Sequence, residues 1–193
     1  MTLIEEMEMY AHEHDVPIMQ KEGIDFMCSF LKEHNLKHVL EIGSAIGYSA
    51  IRMAMLDMDI QITTIERDKD RYDQAVEYVK RSGLQDRITL LFGDALETVV
   101  EGSFDMLFID AAKAQYIYFL PQVLRLMPPG GLLVSDNVLQ DGDVLESRFA
   151  VTRRNRTIHA RMREYLSELT HHPGLETCIL PVGDGVTLSV KHI

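Results

Sequence analysis

A chain of 193 residues, 46% apolar and 25% charged with a formal net charge of -11, has the make-up of a soluble, single-domain globular protein. No apolar run nears the roughly 18 residues that span a bilayer. The acidic start MTLIEEMEMYAHEHD lacks a signal-peptide layout, and two isolated cysteines, Cys28 and Cys178, suit a reducing cytoplasm better than a disulfide framework or a zinc site. Negative charge repels phosphate at long range and discourages a nucleic-acid reading. One stretch departs from this: TRRNRTIHARMR, Thr152 to Arg163, packs five arginines and no acid.

In chain order, the spacing predicts helices over about 3–14 and 21–34. Short apolar runs then alternate with amphipathic stretches: strands at 39–42 (VLEI), 62–65 (ITTI), 88–92 (ITLLF), 106–109 (MLFI) and 132–134 (LLV), with helices at 48–56, 69–81 and 113–126 between them. Such alternation implies an α/β fold with a mostly parallel sheet. The arginine-bearing helix follows. Strands at 175–180 and 186–191, joined by the Gly/Asp-rich PVGDG turn, read as a C-terminal antiparallel hairpin. The expected organisation is one domain over 1–193, with N-terminal helices in 1–36 and a Rossmann-like core in 37–193.

Ligands of open α/β sheets sit beyond the carboxyl ends of the strands. The first strand runs into Glu41-Ile42-Gly43-Ser44-Ala45-Ile46-Gly47-Tyr48-Ser49. In a dinucleotide fingerprint the Ala45 and Tyr48 positions would be glycine, so close approach to a pyrophosphate is poorly supported. An adenosine with an uncharged link, such as S-adenosylmethionine, fits better. Glu66, about 20 residues on, is placed to accept hydrogen bonds from ribose hydroxyls. Asp94 can accept from an adenine amino group, and the Ala95 N–H can donate to the ring.

The fourth strand leads into Asp110-Ala111-Ala112-Lys113 and the fifth into Ser135-Asp136-Asn137. If these strands are neighbours, Asp110, Asp136 and Asn137 meet at one rim. Three hard oxygen donors without His or Cys favour Mg²⁺ or a similar divalent cation. Lys113 falls near the same place and can serve as a base.

EIGSAIGYSAIRMA, GLQDRIT, FIDAAK and SDNV together resemble, in order and spacing, the motifs of the cation-dependent O-methyltransferases of the catechol and caffeoyl-CoA type. The resemblance is strong over about 19–138. It implies a seven-stranded S-adenosylmethionine-dependent methyltransferase fold. It also implies Asp110, Asp136 and Asn137 as metal ligands, and Lys113 with Asp110 in the catalytic machinery. Met19, Glu41, Gly43, Ser44, Ser49, Glu66, Asp94, Ala95 and Asp110 would line the cofactor site, and the enzyme would be a homodimer. Two departures stand out: Ala112 replaces a further acid of the plant caffeoyl-CoA enzymes, and the chain has no Trp to wall a catechol pocket.

Among bacterial members, VPIM (16–19) and RRNRTIH (153–159) are more loosely similar to the branch that methylates 5-hydroxyuridine at the tRNA wobble base. There O5 and O4 sit on adjacent carbons, as in a catechol. tRNA is thus one expected acceptor, with phosphate contacts from Arg153, Arg154 and Arg156. A small catechol-like or acyl-CoA phenolic molecule is the other. A non-catalytic RNA-binding protein and an NAD-dependent dehydrogenase are readings of other classes. His12 and His14, two apart, point to different helix faces and make a poor metal pair.

Overall fold

The computed structural model describes residues 1–139, 144–146 and 151–192. The chain divides into two compact units, Met1–Val100 and Glu101–Ile193.

The first unit opens with α1 (Leu3–Glu13) and α2 (Lys21–Glu33). Thr2 and Glu5 form a reciprocal capping box that starts α1. Helical spacing turns Ile24, Met27, Cys28 and Leu31 of α2 inward. There follow β1 (His38–Ile42), α3 (Tyr48–Ala54), β2 (Gln61–Glu66), α4 (Lys69–Ser82) and β3 (Ile88–Phe92). β2 pairs in parallel with β1 on one side and β3 on the other. α4 is bounded at both ends by its own sequence. The Asp68 carboxylate accepts the Asp70 and Arg71 N–H groups, and Gly83 takes the left-handed conformation at φ +72° that ends the helix. The two N-terminal helices grip α3 through side chains. The Tyr48 hydroxyl donates to Glu8 at 2.6 Å, and Arg52 donates to Asp25 at 2.6 Å and to the Tyr48 oxygen at 3.0 Å.

The second unit holds β4 (Met106–Ile109), a short 3-10 turn (Lys113–Gln115), α5 (Tyr116–Leu126), β5 (Leu132–Ser135), α6 (Arg156–His171), β6 (Leu175–Leu180) and β7 (Val186–Lys191). β4 and β5 run parallel, while β7 joins β5 and β6 antiparallel, as the turn chemistry led one to expect. Every residue of β4 and β5 is buried, which is why β4 and the first three residues of β5 read as apolar runs.

Several boundaries differ from expectation by a residue or two, and three of the differences bear on the site. The stretch expected as one helix over 113–126 is divided: Ala112 is extended (φ -63°, ψ 111°), the 3-10 turn intervenes, and α5 proper starts at Tyr116. β5 continues one residue further, to Ser135. α6 begins only at Arg156, so Arg153 and Arg154 precede the helix. Among the described residues no helix is long and apolar enough to cross a membrane.

Candidate active site

The loop leaving β1 is built on left-handed backbone. Gly43, Ala45 and Gly47 have φ of +99°, +45° and +82°. Gly47 also lies close to α4, where a Cβ would come within 3.4 Å of Ala75 Cβ. Ala45 has no such freedom, and an L-residue there costs about 1–2 kcal/mol. Glu66 offsets that cost: its carboxylate accepts the Ala45 N–H at 2.8 Å and the Asp68 N–H at 2.8 Å. The acid at the end of β2 is therefore pinned to the glycine loop of β1, with both oxygens at that edge.

Glu41 lies beneath the loop and is wholly buried. Ser49 donates to one of its oxygens, and the Thr64 hydroxyl donates to the other at 2.5 Å. Burial nonetheless dominates and lifts its carboxyl from 4.5 to about 7, with the charge of Glu66 acting in the same direction. Ser44, also buried, keeps a hydroxyl oxygen that bonds no described residue. An orphaned polar atom in a glycine loop after the first strand is what a missing small-molecule partner leaves behind, so these residues fit an adenosine-type cofactor. Asp94, half-buried, accepts the Leu96 N–H at 2.9 Å and has Arg67 at 3.7 Å. Ala95 and Met19 are buried in the same unit.

In the second unit the register sets the geometry. Ile109 pairs with Ser135, and the Asp136 N–H donates to the Ile109 carbonyl at 3.0 Å. Asp110 and Asp136 therefore leave neighbouring strands at one rim. Asp136 is buried, and desolvation raises its carboxyl from 3.8 to about 6; Asp184 adds to the rise and Lys113 opposes it. Asn137 is left-handed at φ +62°. Its Oδ1 accepts from Lys113 Nζ at 2.7 Å. A buried carboxylate and a carboxamide oxygen thus stand with the Lys113 amine at the rim where Asp110 also leaves its strand, and a hard divalent ion fits that donor set.

Sequence reading missed the side chains behind this rim. The Tyr116 hydroxyl donates to the Asp136 carbonyl at 3.1 Å, and Tyr165 shares a 2.6 Å hydrogen bond with Ser135. The two rings meet edge to face at 5.5 Å. Both phenols are buried, and desolvation keeps them protonated. The only sequence signal was Tyr116 standing three residues after Lys113.

The arginine run divides into two groups. Arg153 and Arg154 are exposed and form no ion pair with any described residue. From α6, Arg156 donates to the Val151 carbonyl at 3.3 Å, His159 to Glu146 at 3.1 Å and Arg163 to Val144 at 3.0 Å. Arg161 donates to the Ala114 carbonyl at 3.1 Å and lies over the Tyr118 ring. The helix it shares with Arg156 and Arg163 is thereby tied to the turn that carries Lys113.

A glycine loop with a strand-end acid, and an acid-rich rim bearing a lysine, on strands closed by a C-terminal antiparallel hairpin, define a Rossmann-like S-adenosylmethionine-dependent methyltransferase. Solved structures agree. A Staphylococcus aureus protein assigned to the caffeoyl-CoA O-methyltransferases matches 99% of this chain and 93% of its own, with a TM-score of 0.92 at 33% identity. A Bacillus cereus O-methyltransferase in complex with SAH matches 98% of this chain and 90% of its own, with a TM-score of 0.85 at 25% identity. Caffeoyl-CoA O-methyltransferase 1 of Eucalyptus globulus is 33% identical over 172 residues, covering 84% of this chain and 70% of its own. The model of the O-methyltransferase family matches residues 1–192, and the chain belongs to that family. It is an S-adenosylmethionine-dependent O-methyltransferase. The readings as a dehydrogenase and as a non-catalytic binding protein fall with that assignment.

Proposed function

We propose that this enzyme methylates, with a divalent cation such as Mg²⁺, a hydroxyl that has an oxygen on the adjacent carbon, carried by a phosphate-bearing acceptor. The observation that carries the proposal is the rim itself: Asp136 buried at the end of β5, with Asn137 Oδ1 2.7 Å from Lys113 Nζ. Asp110, Asp136 and Asn137 would hold the cation. When bound, it lowers the pKa of an acceptor hydroxyl and fixes its orientation. Lys113 would receive the hydroxyl proton on Nζ as the neutral amine, the form that a neighbouring divalent cation favours. S-adenosylmethionine supplies an electrophilic methyl group on its sulfonium. Glu66 serves its ribose hydroxyls, Asp94 and the Ala95 N–H its adenine, and the Ser44 hydroxyl finds there the partner it lacks.

The first acceptor proposed is 5-hydroxyuridine at the tRNA wobble position, giving 5-methoxyuridine. Exposed Arg153 and Arg154, before a helix that starts without a side-chain cap, support it through phosphate contact. The names of the curated relatives favour a second acceptor, a phenolic acyl-CoA, whose phosphates the same arginines would meet. Free thiols at Cys28 and Cys178 suit action in the cytoplasm. Homodimer formation rests on family resemblance, and sedimentation of the purified enzyme tests it. One experiment separates the acceptors: purified enzyme, Mg²⁺ and methyl-labelled cofactor offered to hydroxylated tRNA, caffeoyl-CoA and simple catechols. Label in tRNA, reduced severalfold by Arg153→Glu with Arg154→Glu, supports the first. Label only in caffeoyl-CoA selects the second, and none in any dihydroxy compound or tRNA defeats both.

A further inference from the structure

The two residues at the end of β5 that would ligate the cation are joined by one peptide group, and its plane is not free. The Tyr116 hydroxyl, buried on α5, donates to the carbonyl of that peptide at 3.1 Å. Rotating the peptide would break this bond and would also change φ of Asn137, which stands at +62°. The chain beyond Asn137 is held just as firmly. The Val138 N–H donates to the Gly185 carbonyl at 3.0 Å, and the Leu139 N–H donates to the Asp184 carbonyl at 2.9 Å. These two bonds lay the ligand loop against the turn of the C-terminal hairpin. The approach is possible only because residue 185 has no side chain: a Cβ there would collide with Leu139 Cγ and stand 2.7 Å from Leu139 Cβ. Gly185 is itself left-handed at φ +89°.

We propose that Tyr116 and Gly185 are positioning residues for the cation: one from each side, they hold Asn137 in the left-handed conformation that turns its oxygen to the rim. This rests on the reading of Asp136 and Asn137 as ligands. Neither residue contacts the ion. Their effect passes through the backbone, in the way outer-shell partners of metal ligands typically alter affinity by about 10–100-fold.

The test is binding of Mn²⁺ alone, followed by the electron paramagnetic resonance of the free ion, in wild type, Tyr116→Phe, Gly185→Ala and Asp136→Ala. S-adenosylhomocysteine affinity by calorimetry and the melting temperature are measured on the same samples. Tyr116→Phe keeps the ring packing against Tyr165 and removes only the hydroxyl. It is expected to weaken Mn²⁺ about tenfold while leaving S-adenosylhomocysteine affinity within twofold of wild type. Gly185→Ala is expected to weaken Mn²⁺ at least as much. Should it fail to fold, Tyr116→Phe still decides the matter. Wild-type Mn²⁺ affinity in Tyr116→Phe overturns the positioning role, provided Asp136→Ala has lost binding. If Asp136→Ala binds Mn²⁺ like wild type, the ligand assignment itself is wrong and this inference falls with it.

Discussion

Glu41→Gln tests how the buried carboxyl under the glycine loop is charged. Burial raises its pKa from 4.5 to about 7, so between those values the folded chain holds a proton that the unfolded chain has released. The group therefore stabilises the fold fully below 4.5, and that contribution is lost as pH rises through about 7. Integrated from about pH 5 to about pH 8, a shift of this size removes on the order of 2.5 kcal/mol of unfolding free energy. The substituted amide keeps the shape and the capacity to bond Ser49 and Thr64, yet does not titrate. Urea denaturation of the cofactor-free protein at several pH values reads the difference. The gap in stability between Glu41→Gln and wild type should move in favour of the variant by about 2.5 kcal/mol across that range. A gap that stays constant with pH would show that Glu41 is ionised throughout, its two hydroxyl donors outweighing burial.

Lys113→Met should lower kcat by a factor of about 10² or more with little change in S-adenosylhomocysteine affinity, as loss of a general base does; an unchanged kcat would reassign the proton acceptor. Gly47→Val puts a branched side chain at φ +82° against Ala75 and should cost about 1–3 kcal/mol in denaturant titrations, together with weaker cofactor binding. A variant as stable as wild type would mean the loop conformation is softer than its dihedrals imply. Tyr165→Phe leaves the buried Ser135 hydroxyl without its 2.6 Å partner and should cost about 1–3 kcal/mol, seen as a lowered melting temperature. No change in melting would show that Ser135 finds another hydrogen-bond partner nearby.

Much of this fold could be read along the chain because its determinants are local. β4 is apolar throughout, and β5 up to its final Ser135, because both are buried at every position, and the cap of α4 is written in Asp68 and Gly83. The turn at 181–185 announces its hairpin by composition alone. The candidate residues were legible one strand end at a time: Glu66, Asp94, Asp110 and Asp136 each stand where a strand stops or just beyond. Other features depend on residues distant in the chain. Tyr165 meets Ser135 across 30 positions, and nothing near either residue marks the pair. The need for glycine at 185 comes from Leu139, on another element. The split of the helix expected over 113–126 has a similar origin, since Lys113 bonds Asn137 from the 3-10 turn that precedes α5. The arginine run misled in a different way. Charge marked the stretch as one feature, whereas hydrogen bonding divides it, and α6 begins only at its fifth residue.

That division separates what can vary from what cannot. Arg156, His159 and Arg163 are committed to main-chain carbonyls of the segment before α6, so replacing any of them loosens the architecture. Arg153 and Arg154 carry no such duty toward any described residue. On the proposed phosphate contact, a lineage could rewrite those two codons and alter which polyanion is recognised, while the scaffold and the rim stay as they are. If that contact holds, engineering of acceptor range has its least constrained foothold there, and natural drift would leave its earliest marks at the same two positions.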